Sequence, residues 1–220
     1  MICHIGAFFV EISPMNFFIS ILISIVFVVP GFSQKDTSQS FDAEKIEQLY
    51  IYTDEVFKIN IITSETNQII LTSHTEGEYF NDISLETEML QNKMILTSKF
   101  RKSLQSGYDK LSAHKVFSME ITLEIPENLQ VFVRSNIASV TGKGTFKNLQ
   151  IELKSGYCRL EYLEGNTVIN TYSGSIWVAA HNSKITASSR NGTVNLPAPA
   201  YGKYQVNLTS INGNISVPEN

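Results

Sequence analysis

A short unit recurs through the second half of the chain: "VRSNIASV", "LKSGYCRL", "TYSGSIWV", "SSRNGTVNL" and "LTSINGNISV". Aligned on the turn residues Asn136, Gly156, Gly174, Gly192 and Gly213, the units step by 20, 18, 18 and 21 residues. A period of this size marks a solenoid, in which each repeat is one coil of the chain stacked on the last. Two residues after the turn stand Ala138, Cys158, Ile176, Val194 and Ile215. Four after it stand Val140, Leu160, Val178, Leu196 and Val217, and five before it Val131, Ile151, Ile169, Ala187 and Leu208. Residues two apart on a strand share a face, so stacked coils bury these apolar ladders. The residues between them point outward. A slip of one residue would exchange ladder and surface, which fixes the register. Ser-Gly, Ser-Asn and Asn-Gly pairs at the turns suit a corner, because these residues accept backbone geometries that others resist.

Residues 46–130 read differently. Strand candidates are Gln48–Thr53, Val56–Thr63, Gln68–Thr75, Asp82–Leu90, Lys93–Phe100 and Val116–Ile125, with turn signals in "SETNQ", "EGEYFND" and "QNK". We read this part as an irregular β cap that starts the solenoid of residues 131–220, because an open terminal rung is an aggregation edge. Residues 34–45 read as a flexible lead-in, and Arg101 to Lys115 as a mobile loop or short helix. The fold class is therefore all-β. Charge divides at the same boundary. Residues 34–130 carry nine Lys and Arg against sixteen Asp and Glu, whereas residues 131–220 carry eight against four.

Residues 1–33 read as a signal peptide, with Met1 or Met15 as its start. The apolar run Phe17–Val29 is short for a membrane span, which needs about 20 residues, and Gly31 and Ser33 fit a peptidase site. An uncleaved anchor is the other reading. Once the leader is removed, no integral span is expected. Cys158 is then alone, without a disulfide partner, and the ladder buries it.

The strand "EITLEIPENLQV" enters the repeats, and the units follow the pattern Ser or Asn, Gly, x, Ile or Val, x, Val or Leu. Over about residues 45–220 the chain resembles the bacterial putative-adhesin domain family of unknown function. The "GFSQ" end of the leader is similar to those of Bacteroidetes chains. The resemblance implies a right-handed β-solenoid of about five regular rungs, a cell-envelope location and no catalytic residues to carry over. The chain departs from the pattern at Asn136, at the "TGKGTF" insertion and at the long turn "LPAPAYGKY".

Chemistry is sparse. Solenoid hydrolases and lyases need convergent carboxylates or a calcium site, yet no Asp follows Asp109 and the late glutamates share no ladder. His4, His74, His114 and His181 have no neighbours at metal-ligand spacing. No cofactor, metal site or nucleic-acid partner is expected, and the basic residues are too scattered for a phosphate-binding stripe. The expected function is a non-enzymatic binding or scaffold module, exported to the periplasm or cell surface. The chain stops at "SVPEN" soon after the last unit, which favours the periplasm. A carbohydrate-active β-helix enzyme and a periplasmic partner in envelope-stress signalling stand as alternatives. The candidate surface pairs Arg159 with Trp177 on adjacent rungs, and sets Tyr172 between Lys154 and Arg190. Such a surface would meet an anionic glycan or an envelope protein. The bland alternative for Trp177 is a cover for its neighbours' apolar stems.

Overall fold

A computed structural model describes residues 34–77, 83–100, 117–197 and 202–219. The expected leader and the whole Arg101–Lys115 stretch lie outside the described residues. Every regular element is a strand: β1 (Gln34–Asp42), β2 (Gln48–Tyr52), β3 (Lys58–Ser64), β4 (Gln68–Gly77), β5 (Ile83–Leu90), β6 (Lys93–Phe100), β7 (Phe117–Pro126), β8 (Gln130–Ser135), β9 (Ser139–Ser155), β10 (Cys158–Ser173), β11 (Ile176–Ala180), β12 (Ser183–Ser189), β13 (Val194–Asn195), β14 (Tyr204–Asn212) and β15 (Ile215–Ser216). The six strand candidates of the N-terminal half match β2 to β7 within a few residues.

The strands make one branched, open sheet. Each coil has two legs joined at a corner. On the leg before the corner the order is β5, β6, β2, β8, the second part of β9, the second part of β10, β14, β12. On the leg after it the order is β1, β4, β7, β3, then the first parts of β9 and β10, then β11, β15, β13. All neighbours are parallel except β5–β6, β1–β4 and β4–β7. This is the β-solenoid-like build that the period predicted.

The alternation explains which side chains fill it. One continuous ladder runs Leu96, Ile51, Val133, Ile151, Ile169, Leu208, Ala187. On the other leg a ladder runs Ile121, Ile59, Val140, Cys158, Ile176, Ile215, Val194. Most members are fully buried, each worth roughly 1.5–3 kcal/mol of transfer free energy for a large aliphatic side chain. Cys158 is buried as expected, and burial alone pushes its thiol up to about 12, so it stays protonated and inert.

Four expectations are corrected. First, the turn equivalent to Gly156 is Ala138, not Asn136: Ser135 pairs with Leu153, and Val140 with Cys158. The chain reaches this corner two residues later than the alignment assumed. A shift of two preserves the inside–outside parity, so the ladders stay apolar while their partners change. Second, the coils do not stack in sequence order. The last coil, β14–β15, lies between β10–β11 and β12–β13. Third, residues 46–130 are not wholly irregular. β2, β3, β6 and β7 continue the parallel stack, and only β1, β4 and β5 add antiparallel strands. Fourth, residues 34–42 form β1, paired with β4 along nine residues. β1 is polar because it buries little, which is why no apolar alternation announced it.

The corners stack as a column: Ala138, Gly156, Gly174, Gly213, Gly192. A Cβ on Gly156 would sit 2.3 Å from the Ala138 carbonyl oxygen, one on Gly174 1.8 Å from that of Gly156, one on Gly213 2.1 Å from that of Gly174, and one on Gly192 2.2 Å from that of Gly213. These are backbone atoms, with no flexible side chain to yield. Small hydroxyls three residues before Gly174, Gly192 and Gly213 reach the Gly174 and Gly213 carbonyls. Thr171 Oγ1 and Ser210 Oγ converge on the Gly174 oxygen at 2.8 and 3.2 Å, and Ser189 Oγ donates to the Gly213 oxygen at 2.7 Å. Buried polar groups are kept only when paired in this way.

Two outcomes follow for stability. Gly174→Ala should lower the unfolding free energy by about 1–3 kcal/mol through overpacking, measured as a drop in urea midpoint at unchanged slope. At the opposite end of the stack His74 on β4 bonds Asp36 of β1 at 2.5 Å and Glu76 at 2.8 Å, with Glu120 of β7 across the pair. Those two hydrogen bonds raise its pKa from 6.5 to about 8. A raised folded pKa means the stabilisation of β1 docking is complete below pH 6.5 and is lost as pH rises through 8. Hydrogen exchange of β1 amides, corrected for intrinsic rate, should show that loss, and His74→Gln should abolish the pH dependence.

Candidate functional surface

The Gly156–Gly174 corner separates two outward surfaces. On the leg after the corner, Arg159 and Trp177 are Cα partners on adjacent strands. The Arg159 guanidinium lies 4.3 Å from the Trp177 ring centroid, within cation–π range. Its Nε also faces Glu161 Oε1 at 3.4 Å. Trp177 is half-buried, with the Arg159 guanidinium over its ring. The next outward residues in the row are Ser216 and then Asn195, both small.

On the leg before the corner, Lys154 and Tyr172 line one open groove of about 430 Å³ together with Arg134, Glu152, Asn170 and Ile211. Among the described residues Tyr172 is the most exposed large apolar side chain, at 56%. The expected trio is not formed. Ser210 stands between Thr171 and Ser189, so Ile211 stands between Tyr172 and Arg190. Arg190 falls on the edge coil, where its N–H donates to the Ser210 carbonyl. The inserted last coil is the reason.

Arg134 and Glu152 were not singled out as groove residues. With the turn set at Asn136, Arg134 aligned with Lys154. In the actual register it pairs with Glu152, and its side chain also lines a second hollow of about 350 Å³ with Tyr52, Asp54, Glu55, Ser98 and Asn136. The carboxylates of that hollow are engaged. Asp54 accepts the Asn136 N–H at 3.2 Å, and Glu55 accepts the Ser98 hydroxyl. No cluster of three His, Cys, Asp or Glu side chains fit for a metal occurs among the described residues.

Comparison with known proteins fits this build. Residues 126–220 match the model of the Toastrack DUF4097 family. That stretch is similar to Toastrack domains, whose function is unknown. The solved structure of a putative cell adhesion protein from Clostridium sporogenes matches with TM-score 0.53 at 18% identity, over 84% of this chain and 99% of the other. At that identity the likeness is one of fold. A putative adhesin from Parabacteroides merdae matches at 15% identity over 86% and 82% of the two chains, with TM-score 0.40, and one from Bacteroides fragilis at 13% over 84% and 97%, with TM-score 0.35. No curated protein matches the sequence. The matched stretch begins at Pro126, while the parallel stack already runs through β2, β3, β6 and β7, so the stack extends beyond the match. Among the described residues no helix is long and apolar enough to cross a membrane.

The Arg159–Trp177 contact should carry a coupling energy of about 0.5–1 kcal/mol, read from a double-mutant cycle of Arg159→Ala and Trp177→Leu in urea unfolding. A coupling near zero would show the two side chains to be neighbours without attraction.

Proposed function

We propose that this chain is an exported, non-enzymatic binding or scaffold module of the cell envelope, periplasmic or at the surface, with residues 1–33 as its removed leader. In this reading residues 131–220 form five regular turns wound right-handed, the hand that parallel crossovers adopt in about 98% of cases. The ligand is an anionic glycan, met at the groove of Lys154, Arg134 and Tyr172 and at the Arg159–Trp177 pair.

The observation that carries the proposal is the groove itself. Two cations and an exposed aromatic converge from three successive coils onto an open trough. Cations give attraction for carboxylate or sulfate groups, and an aromatic face gives sugar rings an apolar surface. An open trough on a rigid sheet suits an extended polymer better than a small metabolite, which needs enclosure. The adhesin-like descriptions of the structural neighbours agree with such a role.

A glycan array followed by titration of the best acidic polysaccharide tests this. Lys154→Ala with Tyr172→Ala should weaken binding about tenfold or more, equivalent to about 1.4 kcal/mol, and added salt should weaken the wild type. Turnover of the polysaccharide that one Glu→Gln change abolishes would sink the reading, as would binding that the double variant leaves untouched.

A further inference from the structure

The two ends of the coil stack carry opposite charge. At one end β1, β4 and β5 hold Asp36, Asp42, Glu76, Glu86 and Glu88 against Lys35 and His74, with Glu86 paired to Lys99 of β6, so among the described residues Asp42 and Glu88 stand without an ion pair. At the other, the coils spanning His181–Val217 hold Lys184, Arg190 and Lys203, and no acid. Each end also finishes in a strand with a vacant edge among the described residues. β5 pairs only with β6, and β12 only with β14. Such edges present unpaired N–H and C=O groups and are templates for another strand.

Both edges are under-covered in the same way. On β12 the inward Ile185 and Ala187 are only partly buried, and Val194 and Leu196 of the same coil are 39% and 37% exposed. On β5 the inward Leu85 is only partly buried, and Met89 is 43% exposed. Elsewhere in the stack the equivalent ladder positions are buried by the next coil.

We propose that copies of this chain associate head to tail, β12 of one copy adding antiparallel to β5 of the next. The directions agree. β12 runs parallel to β6 through every strand between them, and β5 runs against β6. A second copy stacked in the same orientation therefore offers β5 antiparallel to β12. The side chains agree as well. Setting Lys184 opposite Glu88 of the second copy places Ala187 opposite Leu85 and Ile185 opposite Thr87. Outward residues then meet outward ones, and inward ones continue the ladders. A slip of two residues, with Lys184 opposite Glu86 and Ile185 opposite Leu85, keeps the same parity, whereas a slip of one would set inward residues against outward ones. A tail-to-tail dimer through two β12 edges would instead bring two basic ends together. A head-to-tail contact uses different patches on the two partners and so does not close, which makes a linear filament.

Sedimentation velocity on the exported protein, over a concentration series and two salt levels, tests the proposal. Wild type should form a ladder of oligomers that higher salt shortens. Lys184→Glu sets a glutamate against Glu88 at the contact, and Glu88→Lys sets a lysine against Lys184. Each alone should associate about tenfold more weakly or worse, with unchanged circular dichroism. Mixing the two variants should restore assembly, because each then supplies the charge that the other lacks. A wild type that stays monomeric throughout overturns the proposal. So does a Glu88→Lys protein that still dimerises, which would be the mark of a tail-to-tail contact.

Discussion

Everything in this fold depends on how closely one corner can sit on the next. Parallel strands stack at about 4.8 Å, and the corners must keep that pitch even though the backbone turns there. At Gly156, Gly174, Gly213 and Gly192 it does so by seating each α-carbon against the carbonyl oxygen of the neighbouring coil, at a distance that excludes any side chain. The carbonyls in that column would be starved of donors, and Thr171, Ser189 and Ser210 supply them from inside. The three-residue spacing from hydroxyl to glycine is therefore one device. It sets the pitch, and the pitch in turn aligns the apolar ladders and the outward rows.

That device made much of the structure legible. The 18-residue step, the inward ladders and the outward parity could be read from residues 131–220, and β2 to β7 from their alternation. The order of the coils could not. Gly192 and Gly213 head units with the same inward pattern, and Ile176 packs as well against Ile215 as it would against Val194, so nothing local says which coil comes next. The slip at the first corner has a similar origin. Ala138 does a glycine's job at the end of the column, where it has a neighbouring glycine on one side only, and Asn136 looked more like a turn.

The candidate surface divides along the same line. Arg159 and Trp177 lie on coils joined by one unbroken 18-residue step, so their contact could be anticipated. Tyr172 and Arg190 are separated by the inserted coil, and Arg134 was concealed by the first-corner slip. The charge boundary near residue 130 was plain in composition. Its meaning was not, because only the coil order shows that acids and bases collect at opposite ends.

The displaced last coil has a consequence for the order in which the molecule can be made. Coil 183–195 does not pair with the coil that precedes it in the sequence. Its strands β12 and β13 pair only with β14 and β15, which come later in the chain. The long closure is the one that brings β14 to β10, with Thr171 and Ser210 39 residues apart, and the chain entropy it gives up slows folding. A chain that emerges N-terminus first holds residues 183–195 unpaired until residues 204–216 are present.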